Sequence, residues 1–157
     1  MKNVCAVILA AGDGKRMKSV KPKALKEVLF KPMLNWVIDA VKKSGIEHIA
    51  VIVGTGADMV REYLPQGVVS IEQKERLGTG HAVMQAQEYI RETGCDSVIV
   101  LTGDAPFVDS DAIMGSYDLH EKTRSAATIV AADVKDPTGY GRIVCNQIGN
   151  VLEIVEH

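Results

Sequence analysis

Short β-branched apolar runs alternate with longer amphipathic stretches along this chain, and that alternation restricts the fold more than any other feature. Four runs, apolar throughout except for Ser70, predict strands at residues 4–9, 49–53, 68–71 and 98–101. Continuous apolarity is typical of strands buried on both faces of a parallel sheet. Between these runs, apolar residues at three- and four-residue spacing predict helices at residues 33–43, 58–64, 81–91 and 111–122.

This βαβ series predicts an α/β fold class: a Rossmann-like, mainly parallel mixed sheet with helices on both faces. In such a sheet, ligands bind at the carboxyl ends of the strands where the winding reverses, so chemistry is expected in the loops after the strands. After Arg124 the pattern changes, and three strand-like runs follow at residues 126–132, 142–145 and 151–155. Gly149-Asn150 between the last two runs predicts a hairpin.

Composition excludes several classes of function. The 18 Lys and Arg residues against 20 Asp and Glu residues give a net charge of −2, which provides no long-range field for holding nucleic acid. The longest apolar run is far shorter than the roughly 20 residues of a membrane-spanning helix. Cys5, Cys95 and Cys145 lie in or beside apolar stretches and predict reduced core thiols. With no signal peptide before the first strand, we expect a cytoplasmic protein that binds neither nucleic acid nor membrane.

The loop after the first predicted strand combines glycines with cations. It runs Leu9-Ala10-Ala11-Gly12-Asp13-Gly14-Lys15-Arg16-Met17 and is followed by Pro22-Lys23. Two glycines two residues apart let the backbone turn and direct its N–H groups at an anion. Met17 replaces the third glycine of a dinucleotide fingerprint, and Arg16 replaces the Ser or Thr of a P-loop, so both motifs are disfavoured. The cluster favours polyphosphate binding; the alternative is a glycine turn with solvated surface cations.

A carboxylate follows the fourth predicted strand. Asp104 stands in the segment Thr102-Gly103-Asp104-Ala105-Pro106 and is expected to face the same crevice as the first loop. There it could hold a Mg²⁺ ion that bridges phosphates. The alternative is an ordinary Asx turn before Pro106.

The segment after the third predicted strand contains a second glycine cluster. Gly78 and Gly80 would let a flat base approach the backbone, and Thr79 is predicted to cap the following helix. No serine elbow, zinc spacing or cysteine partner accompanies His81, which is therefore interpreted as structural.

With these motifs assembled, the chain resembles the sugar-phosphate nucleotidyltransferases. Within them it is most similar to the uridylyltransferase domains of bacterial bifunctional uridylyltransferase/acetyltransferases that act on N-acetylglucosamine 1-phosphate and glucosamine 1-phosphate. The resemblance covers essentially the whole chain and is carried by residues 9–17, 22–23, 77–82, 103–106, 136–143 and 154–157. Phe30 departs from the pattern, since the family usually has glycine there, and this affects a turn rather than the chemistry.

The resemblance implies a nucleotide-diphospho-sugar transferase fold. Residues 1–157 would form the N-terminal part of a uridylyltransferase domain, with the C-terminal part of that domain missing and no acetyltransferase β-helix present. The implied reaction transfers a uridylyl group from UTP to N-acetylglucosamine 1-phosphate, releasing pyrophosphate. It depends on Mg²⁺ and supplies a cell-wall precursor. Missing strands would also leave an apolar sheet edge through which a homo-oligomer could form.

The resemblance also assigns roles to individual residues. Arg16 and Lys23 would act on the phosphates as catalytic groups, and Asp104 would hold the metal. Gly141 and Glu156 would contact the sugar, although Glu156 could instead be a surface charge. The nucleotide-binding set would be Leu9, Ala11, Gly12, Gly14, Gln73, Gly78 and Thr79.

Two alternatives to this function stay open from the sequence. One is a nucleotidyltransferase for another sugar phosphate or another base. The other is a truncated nucleotide-binding module that lacks full activity.

Overall fold

The computed structural model describes residues 3–12 and 21–155, in eight strands and five α-helices. The strands are β1 (Val4–Leu9), β2 (Glu27–Val28), β3 (Lys31–Pro32), β4 (His48–Val53), β5 (Val68–Glu72), β6 (Ser97–Thr102), β7 (Arg142–Cys145) and β8 (Val151–Val155). The helices are α1 (Met33–Lys43), α2 (Ala57–Arg61), α3 (Thr79–Met84), α4 (Gln87–Thr93) and α5 (Ser110–Thr123), with a 3-10 turn at Lys23–Leu25. Two compact units divide the chain, the first ending at Gly115 and the second beginning at Ser116.

A parallel sheet with the strand order β5-β4-β1-β6 forms the centre of the first unit. The chain winds outward from β1 to β4 and β5, and then returns to the other side of β1 to form β6. The winding therefore reverses between β1 and β6. The register pairs Leu9 with Thr102, which brings the carboxyl ends of these two strands side by side. This is the place where such sheets bind ligands.

Burial confirms the predicted character of the two inner strands. Val7 packs against Ile52 of β4 and against Ala82 and Ala86, while Ile8, which points to the opposite face of the sheet, is also fully buried. Both faces of β1 are therefore covered. The prediction that β5 and β6 are buried on both faces was wrong. They are the outer strands of the described sheet, and each of their residues is either partly buried or exposed.

Several helices and turns differ from the sequence prediction. The predicted helix at 58–64 ends at Arg61, because Pro65 disfavours helical backbone in the residue before it. The predicted helix at 81–91 divides into α3 and α4, and backbone hydrogen bonds between residues three apart replace the α pattern at Gln85 and Ala86. The small hairpin of β2 and β3 was not predicted. Its turn residues Leu29 and Phe30 both have left-handed backbone, with φ of 51° and 64°.

The second unit contains the predicted hairpin. β7 and β8 pair antiparallel with an irregularity at Val144 and Cys145, and Gly149 in the turn has a φ of 85°. Residues 126–132 form no strand, and none of the described strands pairs with them. Cys145 is exposed, which corrects the expectation of a core thiol, whereas Cys5 is buried as expected.

No described helix of the protein is long and apolar enough to span a membrane.

Candidate active site

A cavity of about 390 Å³ opens at the carboxyl ends of β1 and β6, and is called here the strand-end cavity. Its volume is within the usual range of small-molecule sites. Eight residues predicted from the sequence line it: Leu9, Ala11, Gly12, Lys23, Gln73, Gly78, Thr79 and Asp104. The structure therefore brings together the predicted first loop, the second glycine cluster and the predicted metal ligand.

The first wall of the strand-end cavity is the chain that leaves β1. The Ala10 N–H donates to the Ile52 carbonyl at 2.8 Å, and the Gly103 N–H donates to the Leu9 carbonyl at 2.8 Å. These bonds continue the sheet one step past the end of β1 on both sides. Gly54 fits closely behind this segment, since a Cβ atom there would lie 2.8 Å from the Ala11 carbonyl oxygen. Backbone hydrogen bonds thus hold the start of this loop. Gly12, which follows, is exposed.

Lys23 is positioned by the short 3-10 turn that it begins. Pro22 precedes the turn, and its carbonyl accepts a hydrogen bond from the Leu25 N–H at 3.0 Å. Leu25 is fully buried and Ala24 is nearly so. Burial of these two apolar residues fixes the turn, while the Lys23 side chain extends into the strand-end cavity.

Asp104 forms an ion pair with Lys23 in this cavity. The Lys23 Nζ donates a hydrogen bond to the Asp104 Oδ2 at 2.5 Å, although the two residues are 81 positions apart in the sequence. Both side chains are partly accessible, with 44% and 34% of their surface exposed. The Asp104 carboxylate therefore makes a long-range ion pair rather than serving only as a local turn residue.

The pKa of Asp104 lies below the ordinary value of an aspartate. Partial burial acts to raise this pKa, but the hydrogen bond and positive charge of Lys23, together with the Thr102 hydroxyl, outweigh that effect. Asp104 is consequently a carboxylate at neutral pH, which is the form that binds a cation.

The donor set suits one divalent cation held jointly by protein and substrate. Asp104 is the only carboxylate among the described residues that line the strand-end cavity, and the Lys23 ammonium already stands beside it as a positive group. No cluster of three or more His, Cys, Asp or Glu side chains that could hold a metal occurs in residues 3–12 and 21–155. Mg²⁺ is commonly bound by one or two carboxylates together with phosphate oxygens and water, so a single carboxylate fits it.

Gln73 also lines the strand-end cavity, and hydrogen bonds orient its side chain. It is only 6% exposed, and its Nε2 donates to the Gly78 carbonyl at 3.2 Å and lies 3.0 Å from the His81 Nδ1. Since Nε2 donates to the Gly78 carbonyl, the Gln73 carbonyl oxygen is the atom that can accept from a ligand. His81 supports Gln73 through this contact, in agreement with its interpretation as structural.

The prediction that Thr79 caps α3 was wrong. The N-cap is Gly78, with a φ of 100°, and no side chain caps this helix. Thr79 is the first helical residue and still lines the strand-end cavity. A left-handed φ is a conformation that glycine adopts readily, which explains why glycine takes the capping position.

Three predicted site residues, Gly14, Arg16 and Glu156, lie outside the described part of the chain. Gly141 is exposed and directly precedes β7 in the second unit.

Five further residues of the strand-end cavity were not predicted: Ala10, Ala24, Arg76, Ala82 and Thr102. Arg76 is the one with a charged side chain. It lies in the loop after β5, and the rule that loops after parallel strands face the site could have identified it.

The chain matches the MobA-like NTP transferase domain over residues 6–153. It is 48% identical over 155 residues to the bifunctional protein GlmU of Clostridium acetobutylicum, and 44% identical over 156 residues to that of Thermoanaerobacter pseudethanolicus. These alignments cover 98% and 99% of this chain, but only 34% of each relative. The chain thus spans about a third of the length of the curated relatives it matches.

Solved structures support the same fold. One is a Bacillus anthracis protein assigned as a glucose-1-phosphate thymidylyltransferase, with a TM-score of 0.79 and 24% identity over 98% of this chain and 64% of that one. Another is the UDP-glucose pyrophosphorylase of Acinetobacter baumanii, with a TM-score of 0.66 and 21% identity over 76% of this chain and 53% of that one. With the family match covering nearly the whole sequence and with the predicted Rossmann-like sheet confirmed, the chain belongs to the MobA-like NTP transferase domain family.

Proposed function

We propose that this chain forms the nucleotide-binding part of an enzyme that transfers a uridylyl group from UTP to N-acetylglucosamine 1-phosphate. The products would be UDP-N-acetylglucosamine, a cell-wall precursor, and pyrophosphate. Sequence identities of 44% and 48% to GlmU proteins support this assignment. In this proposal, residues 1–157 belong to one uridylyltransferase domain in the cytoplasm.

One observation carries the proposal: the contact between Lys23 and Asp104 at the reversal point of the sheet. It places a cation suited to phosphate and a carboxylate suited to a metal within 2.5 Å of each other, in the cavity that also contains Gln73 and Gly78. A triphosphate with its metal and its base needs all these groups around one volume.

The base would lie against Gln73 and Gly78. Uracil presents one N–H donor between two carbonyl acceptors. The Gln73 carbonyl oxygen can accept from that N–H, and backbone N–H groups beside Gly78 can donate to a carbonyl. Gly78 has no side chain to obstruct the approach of a flat ring.

The chemistry requires charge neutralisation rather than a general base. The second pKa of a phosphate monoester is about 6, so the sugar phosphate is largely a dianion at neutral pH and is already nucleophilic. Repulsion between two anions is then the main obstacle. Lys23, and Arg16 by the resemblance, would reduce this repulsion and stabilise negative charge that develops on the departing pyrophosphate.

Asp104 would hold the divalent cation that nucleotidyltransferases generally use, and we propose that this cation is Mg²⁺. When bound, Mg²⁺ supplies charge neutralisation at the phosphate oxygens. A carboxylate has two oxygens, so Asp104 could hold this cation whether or not its Oδ2 keeps the hydrogen bond from Lys23.

Gly141 and Glu156 are proposed as sugar contacts on the resemblance alone.

We also propose that the protein can self-associate through β6. In the described chain β6 pairs only with β1, and Val98 and Val100 on it are 37% and 45% exposed.

A second candidate is nucleotide binding without full turnover. It is favoured by the single carboxylate in the described cavity, since a metal site with one protein ligand depends heavily on the substrate for its remaining ligands.

Pyrophosphate release separates the two candidates. Purified protein is mixed with UTP, Mg²⁺ and N-acetylglucosamine 1-phosphate, and UTP binding is measured in parallel by calorimetry. Turnover that is lost in Lys23→Ala and retained in Lys21→Ala supports the transferase. Binding without pyrophosphate favours the module, and absence of both would refute the assignment. Replacing UTP by other triphosphates, and the sugar phosphate by other sugar phosphates, tests the remaining alternative.

A further inference from the structure

The loop between β5 and α3 contains a cation, Arg76, that the proposed reaction does not use. Arg76 lines the strand-end cavity, and its Nη2 donates a hydrogen bond to the Thr55 Oγ1. Thr55 lies in the loop that follows β4. The hydrogen bond therefore joins the loops after two neighbouring parallel strands.

The two glycines that flank Thr55 pack closely against other segments of the chain. A Cβ atom at Gly54 would lie 2.8 Å from the Ala11 carbonyl oxygen. Gly56 has a φ of 78°, and a Cβ atom there would lie 2.9 Å from the Pro22 Cγ. The loop around Thr55 thus packs against both segments that are proposed to hold the phosphates, and it provides a fixed attachment point.

Residues 73–79, called here the base-reading loop, are anchored at both ends. At one end the buried Gln73 donates its backbone N–H to the Val53 carbonyl at 2.8 Å. At the other end Gly78 is the N-cap of α3. The residues between these ends are exposed, and among them Arg76 reaches Thr55.

We infer that Arg76 is a positioning residue that holds the base-reading loop against Thr55 and thereby sets selectivity for uracil over cytosine. This inference rests on the proposed function. Cytosine has an acceptor where uracil has its N–H donor, so the Gln73 carbonyl oxygen repels it. A fixed loop enforces that mismatch, whereas a loop that can shift relieves it.

Binding of UTP and CTP to variants of the contact tests the inference. Thr55→Val removes the hydroxyl at nearly constant volume, and Thr55→Ser retains it. We expect Thr55→Val and Arg76→Ala each to reduce the ratio of the CTP Kd to the UTP Kd by about fivefold. Thr55→Ser should keep the wild-type ratio, and the double variant should lose no more than either single variant. Lys74→Ala, which removes an exposed neighbouring cation, is the matched control and should also keep it.

Hydrogen exchange of the ligand-free protein provides a second readout that needs no nucleotide. Amides of the base-reading loop should exchange faster in Thr55→Val and Arg76→Ala than in the wild type, Thr55→Ser or Lys74→Ala.

Two results would overturn the inference alone. In the first, Arg76→Ala weakens UTP and CTP binding equally while Thr55→Val changes neither, which would make Arg76 a phosphate-binding cation. In the second, the wild type binds UTP more tightly than CTP, and Thr55→Val and Arg76→Ala keep the same Kd ratio and the same hydrogen exchange in the base-reading loop. A wild type that binds neither nucleotide would instead overturn the proposed function together with the selectivity.

Discussion

Replacing Asp104 with asparagine is expected to strengthen UTP binding when no divalent cation is present. The Asp104 carboxylate accepts a hydrogen bond from Lys23 at 2.5 Å, so in the ligand-free protein it competes with a phosphate for the Lys23 ammonium. With 44% and 34% of the two side chains exposed, such an ion pair contributes about 0.2 to 1 kcal/mol. The upper value corresponds to about a fivefold change in affinity. Loss of carboxylate–triphosphate repulsion acts in the same direction.

The assay is calorimetric titration of UTP into each protein in a chelator, repeated with Mg²⁺. In chelator, we expect Asp104→Asn to have a UTP Kd about two- to fivefold below that of the wild type. With Mg²⁺, the variant should lose any gain in affinity that the metal gives the wild type. Turnover should fall by about two orders of magnitude, because a bound metal ion contributes several kcal/mol to charge stabilisation.

Asp39→Asn is the matched control. Asp39 also pairs with a lysine, Lys31, but does not line the strand-end cavity. Its replacement should leave both titrations unchanged. Weaker UTP binding by Asp104→Asn in chelator would contradict this prediction, since it would mean that Asp104 supports the nucleotide rather than competing for Lys23.

Three further predictions follow from the local geometry. Gly54→Ala should weaken UTP binding by displacing the loop after β1, whereas Gly115→Ala, with no atom within 4 Å of its new Cβ, should bind UTP as the wild type does; equal affinities in calorimetry would contradict this. Phe30→Gly should stabilise the fold by about 0.5 to 1 kcal/mol, because Phe30 has a φ of 64° and is 98% exposed, so a lower Tm would be the wrong outcome. The pKa of Asp104 is lower in the folded protein than its ordinary value of 3.8, which applies to the unfolded chain. The ion pair therefore stabilises the folded state fully at pH values above that unfolded pKa, and this stabilisation is lost as the pH falls through the folded pKa. The Tm difference between wild type and Asp104→Asn should therefore be constant near neutral pH and shrink below about pH 4; a difference that persists in strong acid would contradict it.

The inner part of the fold was predictable because buried strands and helices have a characteristic pattern of apolar residues in the sequence. The bounds predicted for the first strand and first helix agree with β1 and α1. Both elements have an apolar residue at every position that faces the core, so the apolar pattern marks their whole length. The ends of β5 and β6 were also close, although the sequence could not reveal which strands lie at the sheet edge.

Elements that depend on distant partners were not predictable. Residues 126–132 have strand composition but no described pairing partner, and a strand forms only when its backbone groups are paired. The turn between β2 and β3 contains Leu29 and Phe30, neither of which signals a left-handed backbone as glycine or asparagine would.

The candidate site was largely predictable because parallel strands deliver their carboxyl ends to one edge. Lys23 and Asp104 were assigned separately from local motifs, and the order of β1 and β6 brings them together. Arg76 was missed, since an exposed arginine in a loop resembles a solvated charge until its contact with Thr55 is known.

Amide chemical shifts of isotope-labelled protein during a UTP titration test the nucleotide site most directly. The largest changes should occur at Gly12, Gln73, Gly78 and Asp104, around the strand-end cavity. Changes confined to the separate cavity beside Trp36, or no changes in the strand-end cavity at saturating UTP, would contradict it.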